Sequence, residues 1–520
     1  MAVELSGRHE HGRRPENLTS WHADWSSLRV VVLGAGVTGF AAADTLAELG
    51  ARVLVVADQV DERTATLLEV IGVATATVPE AEQFDPELVI VSPGFRPGHP
   101  FLRWAERNDV AIWGDIELAW RLRDKVGQPA EWILVTGTNG KTTTTQLAAT
   151  MILASGRRVA PCGNIGIPVL DAIRDPAGFD VLVVELSSFQ LHWVNRNPGG
   201  QLVPHASVCL NIADDHLDWH GGAEAYRAAK GKVYDNTKVA CVYNRDDDAT
   251  RILVEEADVV EGARAIGFTL GVPGPSDFGI VEGILCDRAF LEDRRNSALE
   301  LTTVQALAAS GLAAPHFVAN VLAAAALTRS IGVEPADIRR ALEGFRVDAH
   351  RTQQVAETDG VRWIDDSKAT NPHAADASLR AFPNVVWIVG GLLKGVEIGP
   401  LVKTHAARLT AAVLIGADRT AVLEAFARHA PALPLFEVSQ AETGDVMREA
   451  VRLSAAVAKP GDVVLLAPAA ASMDQFTDYA DRGNRFAEAV RLHLEGPDDD
   501  DDPTRPSTGG QSSGGRPPGA

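Results

Sequence analysis

The stretch "EWILVTGTNGKTTTTQL", Glu131 to Leu147, decides how this chain is read. Four apolar residues, Trp132 to Val135, predict a buried strand, and an apolar helix follows the lysine. Between them lies a glycine-framed turn. Its backbone amides, from Gly137 through Thr138 and Asn139 to Gly140, can cradle a phosphate. Lys141 then reaches the β and γ oxygens, and Thr142 offers a hydroxyl to Mg²⁺. A strict phosphate loop has glycine where this chain has Val135, so the loop is a shorter variant that begins at Gly137. A structural turn alone does not require lysine and threonine at those positions.

Outward from this stretch the same alternation repeats. "LRVVVLGAG", "ARVLVVAD" and "ELVIVSPG" precede it; "DVLVVELSS", "ASVCLNIAD", "VVWIVGG", "AAVLIGAD" and "DVVLLAPA" follow. Short apolar runs ending in Gly, Asp or Ser and separated by helical patterns predict an α/β fold of parallel sheets buried on both faces. In such sheets ligands sit at the carboxyl ends of strands. At roughly 150 residues per domain, 520 residues imply three domains. Polar linkers at 123–131 and 343–357 place them at about 27–126, 127–347 and 348–495. Residues 1–26 read as a flexible extension. Residues 496–520, with "PDDDDDP" and otherwise Gly, Pro, Ala and polar residues, read as a disordered acidic tail.

Bulk composition narrows the function. With 48 basic against 69 acidic residues the formal charge is −21, which disfavours binding to a phosphate backbone. Cys162, Cys209, Cys241 and Cys286 show no metal-type spacing and read as buried small hydrophobes in a reducing compartment. Neither a signal-peptide core nor an uninterrupted apolar run of about 18 residues is found, so the expected location is cytoplasmic.

Other strand ends carry chemistry. In the first domain Gly34, Gly36 and Gly39 form G-x-G-x-x-G between a strand and a helix, with Asp58 after the next strand. That pattern reads diphosphate plus ribose, in NAD or equally in a UDP-sugar. In the second domain Glu185, and then Asp214, Asp215 and His216, end strands beside the lysine loop and are candidate magnesium ligands. "IDDSKATN", "GGLLKG" and "PAAASMDQF" place Lys368, Lys394 and Ser472 after strands of the third domain, where they suit a substrate bearing carboxylates.

Seven motifs in order, "GTNGKTT", "GNIG", "ELSSFQL", "ADDHLDWH", "YRAAK", "HR" and "DDSKATN", resemble the Mur ligase family of ATP-dependent amide-forming enzymes. "SPG", "GDIELAW", "DDSKATN" and "SMDQF" are similar to its D-glutamate-adding branch. The resemblance implies a Rossmann-like first domain for UDP-N-acetylmuramoyl-L-alanine, with Gly36, Val37, Thr38, Asp58, Ser92 and Asn164 as contacts. It implies a P-loop central domain, with Gly137 to Thr143 and Asn320 at ATP, joined by Arg351 and Asp366. Thr142, Glu185, His216 and a CO₂-carbamylated Lys230 would serve two Mg²⁺ ions. A Rossmann-like third domain would bind D-glutamate through Lys368, Thr370, Lys394 and Ser472. Lys141, His216, Lys230 and Asp366 are the implied catalytic set, with His216 and Asp366 both open as general base. The enzyme is expected to be a monomer in peptidoglycan precursor synthesis. The chain departs from the family at Phe317, where asparagine often follows the histidine. The rival readings are a Mur-type ligase for another amino acid, a nicotinamide-dependent oxidoreductase, which leaves Lys141 without a task, and a non-catalytic nucleotide binder.

Overall fold

The computed structural model describes residues 15–439 and 443–495. The first fourteen residues and the acidic tail lie outside the described residues. Residues 15–26, counted with the extension in the sequence reading, are packed against the chain. Leu18 and Trp25 are buried, and Ser20 Oγ and the Trp21 amide donate to the Asp124 carboxylate at 2.5 and 2.7 Å.

Among the described residues the strands form three sheets. The first contains β1 (Arg29–Leu33), β2 (Arg52–Val56), β3 (Ala74–Ala76), β4 (Leu88–Val91) and β5 (Ala111–Gly114), all parallel, in the order β3-β2-β1-β4-β5. Val30, Val31, Val32 and Leu33 are all fully buried, as expected of a β-branched strand covered on both faces. The order reverses beside β1, so a crevice opens at the carboxyl ends of β1 and β4.

The second sheet is built from β6 (Glu131–Thr136), β7 (Val159–Gly163), β8 (Val181–Glu185), β9 (Ala206–Cys209), β10 (Ala240–Asn244), β11 (Arg264–Phe268), β12 (Asp277–Val281), β13 (Ile284–Asp287) and β14 (Leu299–Thr303). Its order is β14-β13-β12-β11-β10-β9-β6-β8-β7, parallel except for the β12-β13-β14 meander. The run read as the fold-deciding strand is β6, in the parallel core between β8 and β9. The helix Lys141–Ala154 follows it and buries Leu147, Ala148, Met151 and Ile152 against the helix Pro315–Ser330. Ala323 to Ala326 of that second helix are fully buried.

The third sheet holds β15 (Gln353–Thr358), β16 (Val361–Asp365), β17 (Val385–Val389), β18 (Leu409–Leu414), β19 (Leu435–Glu437) and β20 (Val463–Leu466), in the order β15-β16-β20-β17-β18-β19. Only its β15–β16 pair is antiparallel. The chain divides into two compact units, Met1–Ala349 with Lys394–Val396, and His350–Leu393 with Glu397–Ala520. The first unit contains both of the first two sheets. One apolar cluster runs through it from Val30, Ile90 and Trp113 to Trp132, Leu134 and Leu182. In the second unit, apolar clusters line both faces of the third sheet.

Candidate active site

The phosphate loop is held from outside. Gly137 has φ +151° and Gly140 has φ +85°, conformations open to glycine. A Cβ on Gly140 would collide with Asn320 Oδ1, so the Asn320 side chain sits directly against the loop. The Asn139 amide donates to Asn211 Oδ1 at 2.8 Å, and Asn211 Nδ2 returns a bond to Asn139 O at 3.0 Å. Thr138 Oγ1 pairs with the Tyr226 hydroxyl at 2.8 Å and accepts from the Ala213 amide at 2.9 Å. Lys141 Nζ donates to Gly137 O at 3.0 Å and Thr138 O at 2.9 Å, curling over the turn where a phosphate would sit. Thr142 is half-buried at the helix start and Thr143 is buried behind it.

Beside the loop, Glu185 ends β8 with 2% of its surface exposed. Its Oε1 accepts from Asn164 Nδ2 at 2.8 Å, while Oε2 is buried with no hydrogen-bond partner. A buried, unsatisfied carboxylate oxygen is costly unless a cation or donor completes it. Lys230, on the helix Ala223–Gly231, is also buried and donates to Thr136 Oγ1 at 3.1 Å. Burial, helped by the charge of Lys141, lowers its amine to about 7. His216 stands in the left-handed region at φ +53° with its ring against Phe189, and burial lowers its imidazole to about 4. Asp214 is exposed. Asp215 is buried; burial raises its pKa, but Lys394 and His216 outweigh this and hold it below the usual range. No group of three or more His, Cys, Asp or Glu side chains that could hold a metal occurs among the described residues. The donors present, a hydroxyl and an orphaned carboxylate oxygen, fit a magnesium ion that takes its remaining oxygens from phosphate and water.

In the first sheet the Gly34 amide donates to Val56 O at 2.7 Å, and a Cβ on Gly39 would overlap Gly34 O. No atom lies within 4 Å of a Cβ placed on Gly36, and Val37 beside it is exposed. Ser92, after β4, has a buried Oγ without a partner, 2.7 Å from a Cβ placed on Gly34. Asp58 is exposed on the rim of a cleft of about 820 Å³. Asn164, after β7, donates to Glu185 Oε1 at 2.8 Å.

The second unit carries its own constellation. Asp366 follows β16 and accepts from the Thr352 amide at 3.1 Å and from Ser378 Oγ. Burial raises its carboxyl to about 6 against the opposing pull of these bonds and of Arg351. Lys368 Nζ lies 3.9 Å from the centre of the Tyr479 ring, and the Thr370 amide donates to Lys368 O at 2.8 Å. Ser472 is buried in the loop after β20, which bridges to Leu392 after β17. Lys394 belongs with the first unit, where its Nζ pairs with Asp215 Oδ1 at 2.8 Å. The sequence reading missed three contributors: Asn211, Tyr226 and the buried Arg482, which donates to Ser367 Oγ, Ser367 O and Ala470 O. Tyr226 was visible within "YRAAK", four residues before Lys230.

The chain is 65% identical over 507 residues, 95% of its length and 98% of the other, to a Leifsonia xyli UDP-N-acetylmuramoylalanine–D-glutamate ligase. It belongs to the Mur ligase family. Residues 135–328 match the Mur ligase middle domain and residues 350–470 the Mur ligase glutamate ligase domain. A Streptomyces coelicolor ligase of the same name is 51% identical, over 90% of this chain and 99% of that one. Among solved structures, a Thermotoga maritima UDP-N-acetylmuramate-alanine ligase aligns over 89% of this chain and 99% of its own, with TM-score 0.53 and 20% identity. A MurF ligase from the same organism in complex with ADP aligns over 85% and 95%, with TM-score 0.51 and 19% identity. These two carry the three-domain Mur ligase fold and extend the likeness no further than fold. The four cysteines are buried and free, as the sequence reading expects. No helix of the described residues is long and apolar enough to cross a membrane.

Proposed function

We propose that this Mur ligase couples ATP cleavage to the addition of D-glutamate to UDP-N-acetylmuramoyl-L-alanine. The observation that carries this is the convergence of Lys141, the orphaned Glu185 oxygen and buried Lys230 at one phosphate loop, in a chain 65% identical to a ligase of that name. A carboxylate is a poor electrophile, so the γ-phosphate of ATP passes to the L-alanyl carboxylate and an acyl phosphate forms. The D-glutamate amine attacks that carbonyl carbon, loses a proton and expels inorganic phosphate, leaving the amide. Lys141 releases Gly137 O and Thr138 O to hold the β and γ oxygens, where fixed charge does most of the catalytic work. Thr142, Glu185 and His216, with Lys230 as a carbamate, would hold magnesium, which would supply positive charge against the phosphates. The near-neutral Lys230 amine is the form that adds CO₂.

Asp366, raised to about 6, is better matched to physiological pH than His216 at about 4, and we assign it the amine proton. Our reading places the nucleotide sugar on residues 27–126, ATP on 127–347 with Asn320 and Arg351, and D-glutamate with Lys368, Thr370, Lys394 and Ser472 of 348–495. The test is phosphate release from ATP with UDP-N-acetylmuramoyl-L-alanine, comparing D-glutamate with L-glutamate, L-alanine, L-lysine and diaminopimelate. Release with D-glutamate alone supports the assignment. Release with another acceptor keeps the chemistry and replaces the substrate.

A further inference from the structure

The cleft of about 820 Å³ in the first unit lies between the loop after β4, with Arg96 and His99, and the turn carrying Asp218, Trp219 and His220. Asp58 stands on its rim. Its volume suits a small-molecule ligand. His99, His192 and His220 line it, and Arg96 brings a guanidinium to the lining against the carboxylates of Asp58 and Asp218.

Arg96 is committed to Asp218, with Nη2 2.7 Å from Oδ2, and this pair ties the loop after β4 to the helix Leu217–His220 of the second sheet. Its side chains are 60% and 46% exposed, so water screens the attraction and the pair is easily exchanged. A diphosphate offers the same guanidinium fork two charged oxygens at once, with more negative charge than one carboxylate.

We propose that Arg96 is a substrate-specificity residue that leaves Asp218 to bind the diphosphate of the nucleotide-sugar substrate, so that Asp218 competes with that substrate for one guanidinium. This rests on the reading that the first sheet binds a UDP-linked substrate. Asp218 serves as an internal substitute anion: it keeps Arg96 over the cleft in the free enzyme and sets a threshold that a ligand without paired phosphates does not pass.

The test measures binding of UDP-N-acetylmuramoyl-L-alanine, UDP and uridine by calorimetry to the full chain and to Arg96→Ala, Arg96→Lys and Asp218→Asn. KM and kcat are measured alongside. R96A is expected to weaken the substrate and UDP by about tenfold and to leave uridine, kcat and KM for ATP unchanged, with R96K in between. D218N is expected to tighten the substrate and UDP, the opposite of what loss of a merely structural ion pair does. Unchanged substrate affinity in R96A, or weakened affinity in D218N, overturns the proposal. If the unaltered chain binds none of the three probes, the failure belongs to the nucleotide-sugar reading instead.

Discussion

Lys230 shows how one side chain ties chemistry to stability. Its folded amine, at about 7, lies below the unfolded value near 10.5. Such a group contributes stability above pH 10.5 that is lost as pH falls through 7. Over that window the cost is about 1.4 kcal/mol per pH unit. Lys230→Met is therefore expected to gain stability relative to the parent at pH 7 more than at pH 10, while losing about a hundredfold or more in turnover. Urea unfolding at the two pH values checks this; equal gains at both would place the amine outside the low-dielectric site. Gly140 offers a second test. Its φ of +85° and the Asn320 oxygen packed against its Cα leave an alanine methyl nowhere to go. Gly140→Ala is expected to cost about 1–3 kcal/mol and to raise KM for ATP while sparing KM for the nucleotide sugar. Initial-rate measurements separate the two. Asp366 predicts an acidic limb near pH 6 in the rate profile, rising with pH as the carboxyl ionises, and a limb near 4 would assign the proton to His216.

Among the elements, the short helix Asp115–Arg121 joins the first two sheets. Arg121 is fully enclosed, bonded through Nη2 to Glu117 Oε1 at 2.8 Å and to Pro198 O, and through Nη1 to Leu18 O at 3.2 Å. Asn197 Nδ2 donates to the other Glu117 oxygen at 2.9 Å. Burial raises Glu117 to about 7 in spite of these partners. Removing one member leaves a charge in a dry site, so Arg121→Met is expected to cost about 3–5 kcal/mol. Glu117→Leu combined with Arg121→Met should cost much less, because both charges go. Equilibrium unfolding of the single and double variants decides it. The motif "GDIELAW" was legible as a family signature, but its use as a buried tether was not. An i, i+4 Glu–Arg pair reads equally well as a solvated helix face, and only the packing of residues 15–18 and 197–200 over it excludes water.

At the scale of the molecule, the three sheets are grouped into two compact units, the first two sheets in one of them. The reason lies in the first unit: the apolar cluster from Val30 to Leu182 spans two sheets, and Arg174 adds ion pairs to Asp44 at 2.6 Å and Glu48 at 3.0 Å. Calorimetry is accordingly expected to show two unfolding transitions, with the first two sheets melting together. UDP-N-acetylmuramoyl-L-alanine should raise the transition of the first unit by mass action. Three separate transitions would make the first two sheets independent cooperative units.

The sequence by itself determined the α/β class, the strand ends that bear function and the phosphate loop, because apolar runs, glycine spacing and a lysine at a helix start are local signals. It also contained the family signature. Tertiary structure decided which of those residues serve each other. Asn164 donates to Glu185, twenty-one residues on, and Asn211 and Tyr226 brace a loop some seventy to ninety residues away in the chain. The shifts that set Lys230, His216 and Asp366 apart come from burial, and burial is a property of what packs around a side chain. No spacing in the chain encodes it.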